Sequence, residues 1–366
     1  MALSYSRKVR LQETHFGTMR GRGELALLAE IRARAARAAG RSQIGGRRGG
    51  LRLGIGDDCA LVAPRRGEEL AITTDLSIAG RHFRLDWHQP EAVGHRALAR
   101  GLSDLAAMGA RPVAAFLSLG LPRSLTVASG RRQGSPSSWV ERFFDGFLAL
   151  AEAHSTPLAG GDLAESPLVV ADIVLVGALP RDRALLRSGA KPGDLLYITG
   201  TLGGASAGLA RLGDLAESQS GRPNPPRIPK KLEAELAPHL YPQPRIRQGL
   251  WLQRRGLASA ALDVSDGLST DLAHLCQESG VAAEVDAAAL PIHPAATLAQ
   301  ALNGGEDYEL LFTAPPAARL PRAIAGVPVT RIGRILKARA GRPTMTLISP
   351  QGAKPLEAHG WEHFSQ

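Results

Sequence analysis

Hydrophobic and polar positions along the chain follow two periods. In GELALLAEIRARAARAA, from Gly23, apolar residues return every three to four positions, which predicts an amphipathic helix. PEAVGHRALARGLSDLAAMGA from Pro90, WVERFFDGFLALAEAH from Trp139 and QPRIRQGLWLQRRG from Gln243 share that spacing and predict further helices. GGASAGLARL predicts a helix rising from glycines. Compact apolar runs predict strands at ELAITTDL, PVAAFLSLGL, LVVADIVLVGAL and GDLLYITG. The first of these reads as a strand ending at Thr73, Thr74 and Asp75, and PLAGGDLAES reads as a glycine turn. SAALDVSDGLSTDLAHLCQESG runs strand, turn, helix, and ALNGGEDYELLFTAP is a glycine turn feeding a strand.

Strands and helices therefore alternate in both halves. The expected architecture is α/β with two domains, 23–180 and 181–366, neither a simple parallel wind, behind a loose basic arm at 1–22. Two polar stretches, 122–138 and 218–231, read as loop insertions.

Composition narrows the class. The 366 residues are 44% hydrophobic and 21% charged, as in an ordinary globular protein. Cys59 and Cys276 form no CxxC pair, which argues against a disulfide framework or structural zinc and fits a reducing cytoplasm. Both have apolar flanks and read as core thiols. The longest apolar run is too short to span a membrane and contains Asp172, and the N-terminus lacks a signal-peptide stretch. The net charge of +10 comes from scattered arginines without interleaved aromatics. That pattern suits a solvated surface, argues against a nucleic-acid interface and is compatible with an anionic substrate.

The candidate chemistry lies in the acids. GIGDD holds Asp57 and Asp58, TTD holds Asp75, LSD holds Asp104, and GGD holds Asp162. DVSD holds Asp263 and Asp266, and GGED holds Glu306 and Asp307. Each sits beside glycines or small hydroxyls near a strand end or helix start. Any one of them is explained equally well as a helix cap or a turn residue. Together they point to a Mg²⁺-nucleotide site, because Mg²⁺ takes one or two carboxylates plus phosphate oxygens, and glycine lets backbone approach a phosphate. GxxxxGK[ST], the GxGxxG fingerprint and kinase-type HRD and DFG are all missing, so a nucleotide site here belongs to an uncommon fold.

GIGDDCALV, TTDL, LSDLAAMGA, AGGD, RSGAKPGD, DVSDGL, GGEDYELLFT and GWEHF, in this order, resemble the thiamine-monophosphate kinase family. The resemblance runs from about Gly23 to the C-terminus, broken by the two insertions. It implies the two-domain aminoimidazole ribonucleotide synthetase-like fold, with N-terminal domains pairing in a homodimer through a β-barrel-like interface. It implies ATP and Mg²⁺, and thiamine monophosphate as acceptor. The magnesium ligands implied are Asp58, Thr73, Thr74, Asp75, Asp104, Asp162, Asp263 and Asp266, with Asp75, Asp162 and Asp266 central to catalysis. Gly161, Asp162, Arg187 and Ser265 are implied at ATP. His82, Glu306 and Trp361 are implied at thiamine monophosphate, with Glu306 facing the cationic thiazolium and Trp361 offering a π face. The family usually continues GGD with Thr, Thr and Arg, where this chain has GGDLAES.

The acceptor is itself a phosphate, with a second pKa of about 6, so in-line attack needs charge neutralisation more than a strong base. Other ATP-dependent members of the superfamily are alternatives. Selenophosphate synthetase is expected to carry a reactive cysteine in a glycine-rich N-terminal segment, and none precedes Cys59. The hydrogenase-maturation protein is expected to end in cysteine, and this chain ends HFSQ. A basic nucleic-acid-binding protein and a nucleotide-binding relative without catalysis are the remaining readings.

Overall fold

The computed structural model describes residues 24–41, 50–55, 58–127, 138–220 and 225–361. The basic arm at 1–22, Asp57 and the middle of both polar stretches lie outside the described residues.

The first half contains α1 (Glu24–Arg41), a short ribbon of β1 (Leu51–Leu53) and β2 (Leu61–Val62), β3 (Glu68–Ile78), α2 (Pro90–Ala107), β4 (Arg111–Leu121), α3 (Trp139–Ala153), β5 (Leu158–Glu165) and β6 (Val170–Pro180). Its four-stranded sheet has the order β3-β6-β4-β5, with β6 antiparallel to both neighbours and β5 parallel to β4. Pro90 opens α2 where its missing N–H costs nothing, and a Ser138–Glu141 capping box opens α3. These two helices cover the inner face of the sheet: Leu98, Leu102, Phe143 and Phe147 pack with Ile173 and Leu175. On the outer face, Leu51 and Val62 of the ribbon pack against Val176 and Ala178. Leu70, Ile72 and Leu76 of β3 remain 40%, 64% and 45% exposed.

The second half contains β7 (Leu195–Thr199), α4 (Gly204–Ser218), α5 (Lys230–Leu240), α6 (Ile246–Arg255), β8 (Ala260–Asp263), α7 (Leu268–Ser279), β9 (Val281–Asp286), α8 (Leu298–Asn303), β10 (Leu310–Ala314), β11 (Ala323–Ile324), β12 (Val327–Lys337), β13 (Met345–Ser349) and β14 (Gly352–Pro355). The main sheet runs β14-β13-β9-β12-β7-β10-β8, with β11 pairing on β12. Its pairs are antiparallel except β13 with β9. Both halves are thus mixed α/β, as the alternating pattern predicts. Leu268, Leu272 and Leu275 of α7 pack with Leu262 of β8 and Ile198 of β7.

The two halves share apolar core. Ile246 and Leu252 of α6 and Phe312 of β10 belong to the cluster that contains Leu98 and Leu105 of α2. The α2–α6 contact is tight: a Cβ on Gly249 would fall 1.9 Å from the Ala106 carbonyl oxygen. A smaller cluster joins Leu212 of α4 and Leu232, Leu236 and Leu240 of α5 to Ala92, with Trp87 packed beside it.

The structure corrects four expectations. PLAGGDLAES holds strand β5, not a turn. Gly161 sits there at φ 143° because a Cβ would lie 1.9 Å from the Leu117 carbonyl of the adjacent strand. Strand β3 continues past Asp75, its pairing with β6 running to Ile78↔Val170. The predicted loop at 218–231 begins where α4 ends and finishes inside α5, a helix whose periodicity Pro238 obscures. Cys276 is buried, but Cys59 is exposed between β1 and β2, outside the strand pairing.

Candidate active site

A cavity of about 950 Å³ opens between the halves. Its walls are the second part of β3, the following segment through His88, one face of α2, the turn from β8 to α7, the α8–β10 loop, parts of α4 and α5, and the tail at 359–361.

One end is acidic. Asp75 from β3, Asp104 from α2, Asp263 from the end of β8 and Asp266 from the following turn all line it, with Thr74 and Ser265. The elements deliver these groups by their periodicity. Alternation on β3 turns Thr73 and Asp75 to the α2 side, where Thr73 Oγ1 donates to Asp104 Oδ2. Ser103, adjacent on α2, donates to Asp263 Oδ2 at 2.6 Å. Crowding leaves its mark on the protons. Burial and then the charge of Asp104 push Asp263 up to about 8. Burial and Asp104 push Asp75 up to about 6 against the opposing pull of Arg100, whose Nε lies 3.4 Å from Asp75 Oδ1. Asp104 is also raised, by burial. Such a set, under-supplied with positive charge, fits a hard divalent cation. Among the described residues no three Asp, Glu, His or Cys side chains form a ready-made metal cage, so the fit is to an ion that keeps waters and phosphate oxygens as ligands.

The turn carrying Asp266 is itself held by an acid that the sequence reading passed over. Asp271, one turn into α7, accepts hydrogen bonds at 3.0 Å from the amides of Ser265, Asp266 and Gly267. Burial and the neighbouring Asp266 push it up to about 7. Asp307 has a comparable task. It accepts from the amides of Gly203 and Ala205 at 2.6 and 3.0 Å and so caps α4, which separates its role from that of Glu306.

The other end is built round an ion pair. Arg96 Nη2 donates to both carboxylate oxygens of Glu306 at 2.7 and 2.8 Å. Burial alone would raise the Glu306 pKa, but the Arg96 guanidinium and its hydrogen bonds override it and leave the carboxyl lowered. Arg96 also donates to the carbonyls of His239 and His82 at 2.5 and 3.2 Å. Behind it, His88 Nε2 meets His239 Nε2 at 2.9 Å, a contact that needs one donor and one acceptor and so at most one protonated ring, and burial with the charge of Arg96 pushes His239 well down toward the neutral form. Burial and Arg96 push His88 down to about 4. His82 lines the cavity, its Nδ1 accepting from the Ile78 amide at 3.0 Å. Trp361 stands at the rim, 53% exposed, with its amide donating to the Asp266 carbonyl at 2.9 Å. Glu306 and Tyr308 hold positive φ angles of 67° and 51°, so the loop that presents them carries backbone strain.

The cavity thus gathers Thr74, Asp75, His82, Asp104, Asp263, Ser265, Asp266, Glu306 and Trp361. Thr73 joins through Asp104. Arg187 lies in a short 3₁₀ turn after β6 and is off the cavity lining, although its charge reaches Asp104. Asp58, Gly161 and Asp162 also lie off the lining. Asp58 is exposed beside the ribbon. Asp162 belongs to the row Leu76–Asp172–Ser118–Asp162 across the sheet, which points to the outer face, opposite to Asp75. Arg96, Arg100, His88 and His239 are cavity-side groups absent from the sequence reading. The i, i+4 spacing of the two arginines on α2 was the available signal.

Comparison with known proteins bears on this geometry. The N-terminal domain of AIR synthase related proteins matches residues 56–179, and their C-terminal domain matches 191–345. Thiamine-monophosphate kinase of Escherichia coli K12 is 39% identical over 327 residues, 86% of this chain and 93% of that protein. The chain belongs to the thiamine-monophosphate kinase family. A crystal structure of thiamine-monophosphate kinase from Stenotrophomonas maltophilia K279a aligns with a TM-score of 0.69 at 38% identity, covering 86% of this chain and 95% of the other. The structure of AaThiL complexed with AMPPCP and TMP aligns at 0.67 and 30% identity, covering 98% and 100%. In this chain, the thiamine-monophosphate kinase motifs TTDL, LSDLAAMGA, DVSDGL, GGED and the tail meet around one cavity.

Proposed function

We propose that the protein transfers the γ-phosphoryl group of ATP to the phosphate of thiamine monophosphate, giving thiamine diphosphate and ADP, with Mg²⁺ required. The observation that carries the reading is convergence. Motifs spread from Asp75 to Trp361 bring four acids together with His82, Glu306 and Trp361 around a single cavity. Acceptor and donor phosphates would meet at the acidic end. Mg²⁺, when bound, supplies the positive charge that lets two phosphate groups approach and align. Asp75, Asp104, Asp263 and Asp266, with Thr73 and Thr74, are the chain's own groups to hold it, and Asp58 and Asp162 remain candidates from outside the cavity. Gly161, Asp162, Arg187 and Ser265 are the groups proposed for ATP.

The thiamine end works by a different balance from the one the resemblance implies. The carboxylate of Glu306 is already neutralised by Arg96, so the thiazolium meets an ion pair flanked by neutral histidines rather than a bare acid. Neutral rings of His88 and His239 avoid repelling the cationic ring. Trp361 at the rim offers it a π face. No covalent intermediate is required.

A homodimer is part of the same reading. Ile72, Leu76 and Leu70 form an exposed apolar stripe on the outer sheet face, of the kind that closes against a second copy. Among the described residues no helix is long and apolar enough to cross a membrane, and a cytoplasmic location accords with the two free cysteines. ADP release measured with thiamine monophosphate, with thiamine, and with Mg²⁺ withheld tests the proposal. Release requiring both the monophosphate and the ion is expected, and release indifferent to either would reject it.

A further inference from the structure

We infer that Arg100 binds the phosphate of thiamine monophosphate and is a specificity-determining residue for the phosphorylated acceptor; this rests on the reading above. Arg96 and Arg100 lie one turn apart on α2, Arg100 on the cavity lining and Arg96 against the lining residue Glu306, but they differ in what is left to offer. Arg96 is consumed: its terminal nitrogens serve Glu306, the His239 carbonyl and the His82 carbonyl. Arg100 approaches Asp75 no closer than 3.4 Å, through Nε. Its terminal nitrogens make no hydrogen bond to any described residue, and its side chain lines the cavity while only 20% exposed. A guanidinium with an open, planar pair of N–H groups is the protein group best shaped for two phosphate oxygens.

Its position favours that use. Arg100 sits among Asp75, Asp104 and Glu306, and its charge is felt by all three. A dianionic phosphate entering this acidic end would be repelled by each lining carboxyl that is ionised. The other arginines on the lining, Arg81 and Arg84, are exposed, and Arg84 is bound to Asp86 at 2.6 Å and stacked on Trp87 at 4.4 Å. Arg100 is therefore the cation at the place where acceptor phosphate and acids must coexist. Thiamine, which lacks the phosphate, gains nothing from it.

The test is equilibrium binding without ATP, followed by calorimetry, with thiamine monophosphate and thiamine as paired probes, with and without Mg²⁺. Wild-type protein that binds neither probe would reject the kinase reading before Arg100 is reached. With binding established, Arg100→Gln should weaken the monophosphate about tenfold or more, the scale of a lost charge-assisted hydrogen bond. Thiamine affinity should change less than about twofold, and Arg100→Lys should recover part of the loss. Equal losses for the two probes, or no loss for the monophosphate, would overturn the inference. Asp75→Asn is a second variant that keeps the guanidinium. It should strengthen Mg²⁺-free binding of the monophosphate, and weaker binding would count against a phosphate contact by Arg100.

Discussion

Arg96→Met removes the partner of Glu306 while keeping an unbranched apolar stem of similar reach. The Arg96 side chain is 7% exposed and that of Glu306 is 26% exposed, so the carboxylate left behind is mostly buried. Removing one member of a buried ion pair costs about 3–5 kcal/mol, and the partial access of Glu306 to the cavity selects the lower end, about 3 kcal/mol. The orphaned His239 carbonyl, which accepts at 2.5 Å, adds about 1 kcal/mol. Urea unfolding followed by tryptophan fluorescence should register a total loss of about 4 kcal/mol. If the stranded charge is the cause, the same substitution in a Glu306→Gln background should cost only about 1 kcal/mol. A cost equal in both backgrounds would refute the argument. The pH dependence has a definite sign. Glu306 is lowered below its ordinary 4.5 in the folded protein, so its pairing contributes fully above that pH and is lost as pH falls through the lowered value. The penalty of Arg96→Met should therefore shrink in acid.

Three further outcomes are expected. Asp75, Asp263, Asp271 and Asp307 have folded values of about 6, 8, 7 and 7 against an ordinary 3.8, so the folded protein holds extra protons and stability should fall as pH climbs through that interval. Added Mg²⁺ should flatten that fall in a melting-temperature series, and an unchanged slope would argue against ion binding by Asp75 and Asp263. Asp75→Asn and Asp266→Asn should each lower turnover on the order of a hundredfold or more with the melting curve retained, and near-normal turnover in both would sink the acid-cluster account. Ile72→Lys, at the most exposed apolar position of the outer sheet face, should shift sedimentation toward monomer.

Much of this fold is legible in the chain because long helices and buried strands repeat their periods over many residues. α2 and α3 are plain in their i, i+3, i+4 spacing, and β4 and β6 in their apolar runs. Short or atypical elements are not. β5 has two glycines at its centre, since packing against Leu117 excludes side chains there, and glycines read as a turn. β12, β13 and β14 carry mixed, partly exposed residues, and β9, although mostly buried, is short and alanine-rich, so all four escaped notice. The acids of the site stood out as motifs. Their partners did not, because Arg96, Arg100 and His239 acquire meaning only when α2, α5 and the Glu306 loop meet. Asp162 stood out equally, yet strand alternation alone decides which face it serves.

The glycine-tight crossing of α2 over α6 bears on how the molecule comes apart. A cut at residue 181 divides the sequence between two family domains, but Ile246 and Leu252 would then leave an apolar socket open on the amino-terminal piece. Heat absorption should accordingly appear as one peak, and chimaeras exchanging halves between distant relatives should aggregate unless α6 travels with its own α2.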